Sequence, residues 1–340
     1  MTPPRDPPCP RRAVAVLGCA LALGTPSCAP PIARAPAPAC APEVFAEVGW
    51  GASSMAIDDT DVYWGQDTGE LMVKAKRGGE ARRLVWLRGE ERRCLYRCWI
   101  AVDADSVYWV DGEGALRSVP KRGGEQVLLA PRGCSGVPVP DGDSVWCSGE
   151  DTVRRVPKRG GQAQVIAEFQ AHLGDVAVDA SFVYWSVNPE PFPDRTGCRN
   201  KANPRGPVCP APPPIPCDVM RVAKAGGPVE VVLPGRCGRL VTLEGAVFLG
   251  AGLVSLADGG SRMASARAPL AGDGDEIYFL GWDVMRAVRA GGAPRFFAKR
   301  KHEDTTGLVV DRDNLYWLEQ DRFGSYNDSA VKRASRACRR

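Results

Sequence analysis

Residues 100–129 read IAVDADSVYWVDGEGALRSVPKRGGEQVLL, and residues 55–84 read MAIDDTDVYWGQDTGELMVKAKRGGEARRL. Two phrases this alike mark one structural unit used again, since a repeated unit buries its apolar face against its own neighbours. Each phrase has four parts. An apolar alternating stretch ends in Asp (IAVD, 100–103) and a short acidic turn leads to SVYW (106–109). ALRSVPK (115–121) follows, and a Gly-Gly turn leads to EQVLLA (125–130). Period-two alternation predicts short β-strands, and the tight turns between them predict a four-stranded antiparallel meander. Gly-Gly suits a two-residue hairpin because glycine accepts positive φ.

Outward from this stretch, the second-strand phrase recurs as DVYW (61–64), SVYW (106–109), SVWC (144–147), FVYW (182–185), AVFL (246–249), EIYF (276–279) and NLYW (314–317). Gly-Gly recurs at 78–79, 123–124, 160–161, 226–227, 259–260 and 291–292. The last unit runs out after SAVKRAS (329–335) and lacks a fourth strand, while EVFAEV (43–48) precedes the first complete unit and supplies one. The expected fold is all-β: a seven-bladed β-propeller over 43–338, built of four-stranded antiparallel blades, with the N-terminal strand closing the last blade. Such closure removes the open sheet edge.

The repeated Tyr and Trp are expected to pack between blades. Asp58, Asp103, Asp179 and Asp311 end first strands and are expected to accept backbone hydrogen bonds in the turns. Strand alternation places these Asp on one face with the basic Gly-Gly turns carrying Lys76, Arg77, Lys121, Arg122, Lys158 and Arg159. Rings of opposite sign predict a solvated, self-compensating surface, each pair contributing at most about 1 kcal/mol.

The unit, in IAVD…SVYWVD with an apolar pair after the Gly turn, resembles the YWTD repeat of low-density-lipoprotein-receptor-type propellers. The chain departs from that family in having seven units rather than six, no adjoining EGF-like modules, and Gly65, Val110 or Ser186 in place of the motif's Thr. The resemblance implies a fold and no activity.

The N-terminus reads as a targeting segment over 1–28. Arg11 and Arg12 precede the apolar run AVAVLGCALALG (13–24), which is too short to span a bilayer. TPSC (25–28) resembles a bacterial lipobox, which implies lipidation of Cys28. AVLGC ending at Cys19 is a second candidate lipobox, and an ordinary secretory cleavage a third reading. A Pro/Ala-rich tether spans 29–42. The chain is therefore expected to be exported, either lipid-anchored to the bacterial outer membrane or otherwise periplasmic or extracellular, touching membrane only through the lipid. A net charge of +4 over 340 residues argues against a nucleic-acid partner.

Thirteen cysteines fit export, since ten remain once Cys9, Cys19 and Cys28 are set aside. Cys134 starts a first strand and Cys147 ends the neighbouring second strand, so a bridge between them is expected. Cys40 and Cys338 flank the closing seam and are expected to pair. Cys94 with Cys98, Cys198 with Cys209, and Cys217 with Cys237 are further candidate pairs. None of these cysteines has zinc spacing, and neither metal nor cofactor is expected.

The one large break in the repeat is the Pro- and Cys-rich stretch 188–216, between the second and third strands of the fourth unit. A long loop on a rigid scaffold is where recognition concentrates. Arg195, Asn200, Lys201 and Arg205 are its candidate ligand-binding residues. The expected function is an envelope-tethered binding propeller that recognises a protein or envelope polymer through the face carrying this loop. The alternative is a lyase or hydrolase at the channel mouth. It would use His172 and His302, the only histidines, with Glu303 and Asp304 beside the second.

Overall fold

The computed structural model describes residues 41–48, 52–66, 68–87, 99–149, 151–168, 173–187, 217–236, 238–243, 246–249, 254–256, 270–273, 276–281, 283–288, 294–300, 304–320 and 329–337. All elements among them are strands. The first repeat gives β2 (Ala52–Ile57), β3 (Asp61–Gln66), β4 (Glu70–Ala75) and β5 (Arg82–Trp86). The second gives β6 (Trp99–Val102), β7 (Ser106–Val110), β8 (Leu116–Pro120) and β9 (Val127–Ala130). The third gives β10 (Ser135–Asp141), β11 (Ser144–Ser148), β12 (Thr152–Pro157) and β13 (Gln164–Glu168). The fourth gives β14 (Leu173–Val178), β15 (Phe182–Val187), β16 (Asp218–Ala223) and β17 (Glu230–Leu233). The sixth gives β21 (Leu270–Asp273), β22 (Glu276–Leu280), β23 (Val284–Val288) and β24 (Arg295–Ala298). The last gives β25 (Asp304–Val310), β26 (Asn314–Gln320) and β27 (Ala330–Ser335), joined by β1 (Glu43–Glu47).

These strands make six four-stranded antiparallel blades, not the expected seven. The fifth repeat supplies only β18 (Leu240–Leu243), β19 (Ala246–Leu249) and the two-residue β20 (Val254–Ser255), a three-stranded sheet among the described residues. Its Gly-Gly pair at 259–260 counted as a hairpin turn in the sequence, yet no fourth strand is paired there among the described residues. The first strands nevertheless form a ring. β2 lies beside β6, β6 beside β10, β10 beside β14, β14 beside β18, β18 beside β21, β21 beside β25, and β25 beside β2.

The N-terminal strand closes that ring. Glu43 pairs in register with Arg333, and Glu47 with Ala330. Side-chain and backbone hydrogen bonds lock the seam. Arg333 Nε donates to Glu43 Oε1 at 2.6 Å, Lys74 Nζ donates to the Phe45 carbonyl at 2.5 Å, and Val48 N–H donates to the Ser329 carbonyl at 2.9 Å. In every four-stranded blade the register slips once between the third and outer strands. Such bulges twist an exposed edge away from pairing with another sheet.

The Tyr-Trp dipeptide sets how blades stack. Adjacent residues on a strand point to opposite faces, so each pair reaches both neighbours. Trp64 packs on Phe45 and Tyr316 of the preceding blade, while Tyr63 packs with Trp109 of the following one. Trp185 packs on Trp146, and Trp317 on Tyr278. All of these rings are buried.

In five repeats the Asp that ends the first strand also links blades. Asp103 Oδ1 accepts from the backbone N–H of Asp105 and Ser106, both at 2.9 Å, and holds the turn. Its Oδ2 accepts from the Tyr108 hydroxyl at 2.8 Å and meets Lys158 of the next blade at 2.6 Å. Asp58 repeats this with Tyr63 at 2.9 Å and Lys121 at 2.7 Å. Asp311 takes Lys76 at 2.6 Å, Asp141 takes Lys224 at 2.7 Å, and Asp273 takes Arg336. In each pair the cation at the end of a third strand grips the carboxylate of the preceding blade. Burial raises the Asp58 and Asp103 carboxyls, but the lysine, the two backbone N–H groups and the tyrosine hydroxyl outweigh it and bring each down to about 2. Burial and the Asp179 hydrogen bond push the Tyr184 hydroxyl up to about 12.

The expectation of a solvated charge surface is thus corrected in its inner part. Lys76, Lys121, Lys158 and Lys224 are mostly buried and committed to one carboxylate each, whereas Arg77, Arg122 and Arg159 beside them are exposed. The sequence gives the signs on this face but not which blade each lysine reaches.

Candidate functional site

A cleft of about 650 Å3 opens across the blades of β6–β9, β10–β13 and β14–β17. Its walls are the β7–β8 turn, the β9–β10 and β11–β12 connections, and the starts of β6, β10 and β14. These connections share the face from which residues 188–216 leave the fourth blade. Val187 and Asp218, which bracket that stretch, are themselves register partners, so the blade continues beneath it. Val187 also pairs with Leu173, a residue of the cleft wall.

Three local structures build the walls. Asp111 is buried in the β7–β8 turn. Its Oδ1 accepts from Glu113 N–H at 3.0 Å and Ala115 N–H at 2.9 Å, and its Oδ2 meets Arg117 Nε at 3.3 Å. Next, Gly133 has φ 90°, and a Cβ there would lie 2.4 Å from the Arg154 guanidinium, so only glycine lets that side chain lie along the wall. Finally, the Cys134–Cys147 disulfide ties the residue before β10 to β11, the bridge expected from their places in one hairpin.

Asp175 lies where the β14–β15 register slips between Leu173 and Val176. A bulge redirects a side chain, and this one puts a carboxylate in the cleft wall. Burial pushes the Asp175 carboxyl above the usual carboxylate range, against the pull of Arg239, whose Nε is 3.4 Å from Oδ2. The Arg239 guanidinium also lies 5.8 Å from the centre of the Trp99 ring. Arg239 thereby connects the segment just before β18 with the first strands of the second and fourth repeats.

The cleft was not foreseen residue by residue. Trp99, Asp175 and Arg239 come from separate repeats, and the ring's curvature brings them together. One signal was present: Asp175 interrupts the apolar strand LGDVAV. His172 lies outside the described residues, one position before Leu173. His302, Glu303, Arg195, Asn200, Lys201, Arg205, Cys28, Cys40 and Cys338 also lie outside them. Asp304 begins β25, and nothing is described of its side chain. Cys94, Cys98, Cys198, Cys209 and Cys237 lie outside as well, while Cys217 is disulfide-bonded. Among the described residues no cluster of three or more His, Cys, Asp or Glu is placed to hold a metal ion.

No protein-family model and no curated protein matches the chain. Solved structures do. Oligogalacturonate lyase from Vibrio parahaemolyticus is similar with a TM-score of 0.55 at 11% identity, over 86% of this chain and 91% of that one. BamB from Moraxella catarrhalis gives 0.48 at 16% identity, over 83% and 85%. The computationally designed Ika8 protein gives 0.49 at 12% identity, over 86% and 99%. At such identities the likeness to the lyase concerns the fold alone, which is that of a β-propeller.

Proposed function

We propose that this chain is a binding propeller tethered in the cell envelope, recognising a protein or envelope polymer through the face that carries residues 188–216. The observation that carries this reading is the root of that stretch. Val187 pairs with Asp218 on one side and with the cleft residue Leu173 on the other. The blade is therefore intact where its strands lead into that stretch, at the margin of a polar cleft, and a rigid scaffold at the root of a long connection favours recognition. The leader over 1–28 and the Cys134–Cys147 disulfide support an oxidising compartment outside the cytoplasm. The test compares crosslinked partners from envelope extract for the full chain and for a form with residues 189–216 replaced by a Gly/Ser linker. The reading expects recovery to be lost with the loop; equal recovery by both forms contradicts it.

A second reading is acid/base catalysis in the same cleft, as a lyase or hydrolase. It is favoured by one observation: Asp175, held towards its neutral form by burial, is three positions from His172. Turnover of envelope glycans that survives in His172→Ala and His302→Ala would remove it.

A further inference from the structure

We propose that the cleft is a saccharide subsite that takes a short stretch of a neutral, polyhydroxylated chain. This inference rests on the binding reading and names the chemistry of its ligand. The volume, about 650 Å3, lies in the range of small-ligand clefts and excludes a folded partner.

The lining decides the class of ligand. Ligand pockets are mostly apolar, whereas this one is walled by charged side chains and glycine turns. Its charges balance locally. Asp111, Glu113, Asp151 and Asp175 are offset by Arg132 and Arg154 in the wall, and by Arg117 and Arg239 held against Asp111 and Asp175. An extended polycation or polyanion would meet the wrong sign within a few ångströms of every favourable contact. A sugar hydroxyl is both donor and acceptor. Carboxylates and guanidinium groups set side by side satisfy vicinal hydroxyls without needing net charge on the ligand.

Two further features fit a sugar ring. Trp99 gives the wall an aromatic surface, an apolar body with a polar edge. Arg239 lies over that ring and is itself 39% exposed, so it can move aside for a ligand.

The test is calorimetric titration of the full chain with maltotriose, cellotriose and tri-N-acetylchitotriose, and separately with trilysine and triglutamate. The proposal expects saturable binding of at least one trisaccharide and none of the charged peptides. Trp99→Ala and the exposed-site variant Asp151→Asn should each weaken that binding ten-fold or more, while Asp59→Asn on the opposite face leaves it unchanged. The Asp151 variant keeps the test valid if the Trp99 variant fails to fold. The proposal is overturned if no trisaccharide binds, if both cleft variants bind as the parent does, or if a charged peptide binds instead. Loop-dependent partner recovery without trisaccharide binding would remove the subsite and leave the binding reading standing.

Discussion

The second and fifth repeats start from the same plan and end differently. In the second, Asp103 holds its turn, receives the Tyr108 hydroxyl and is gripped by Lys158, and four strands pair in full. The fifth repeat has Glu244 and Gly245 after its first strand, Phe248 and Leu249 in place of Tyr and Trp, and no Lys or Arg in residues 256–260. Val247 and Phe248 are still buried, so the apolar half of the plan survives. The polar half is gone, and only three strands are paired there among the described residues. The difference teaches a division of labour: apolar alternation seats the inner strands, and the Asp–Tyr–Lys frame fixes where turns sit and which blade comes next.

The strongest way to break this comparison is to remove the frame. Asp103→Ala strands a lysine and a tyrosine hydroxyl and unties a turn. Its expected cost is about 3 kcal/mol in urea unfolding. Asp179→Ala removes the same turn and tyrosine bonds, but no inter-blade lysine grips Asp179 among the described residues. With no ion pair to a neighbouring blade among the described residues, its cost should be smaller, about 2 kcal/mol. Equal losses would mean that the inter-blade lysine contributes nothing.

The third repeat sharpens the point. It too departs from Tyr-Trp, with Trp146 and Cys147 at those positions, yet it keeps four strands. Its disulfide to Cys134 closes a loop of 13 residues and its Asp141–Lys224 pair is intact. The double variant Cys134→Ser with Cys147→Ser should lose roughly 2–3 kcal/mol and bring this repeat closer to the fifth in behaviour. No change in unfolding midpoint would show that the bridge does not replace the missing ring.

Acid gives a smaller effect per residue. Asp58 and Asp103 titrate at about 2 in the folded chain, below the ordinary 3.8. A lowered folded value contributes stability that is complete above the unfolded value and is lost as pH falls through the folded one. Each side chain is mostly buried, and each should contribute about 2 kcal/mol at neutral pH, lost between pH 4 and pH 2. Asp103→Asn should flatten that part of the stability curve; an unchanged acid limb would contradict the assignment.

Much of the fold was legible because its signals recur. Tyr63, Tyr108 and Tyr184 stand at one register with Asp five residues before each, and a single accident could not produce that spacing. Closure by residues 43–47 was legible for the same reason, since the last repeat visibly lacked a strand. The expected count of seven rests on Gly259 and Gly260, which resemble a hairpin turn, whereas the fifth repeat has three paired strands among the described residues. The cleft was not legible. Trp99, Asp175 and Arg239 meet only through curvature, and a bulge at residues 174–175, which sequence alternation does not announce, redirects Asp175. The histidines and the loop cations, candidates by residue type and position, all lie outside the described residues.

The central claim is that the ring is held unevenly, firmly from the sixth repeat round through the first to the fourth and weakly at the fifth. Native-state hydrogen exchange, followed by mass spectrometry, tests it directly by comparing β6–β7 with β18–β19. The account expects the amides of β18–β19 to open at lower free energy than those of β6–β7 and ahead of global unfolding. Equal protection of the two pairs, both opening only with the whole chain, would contradict it.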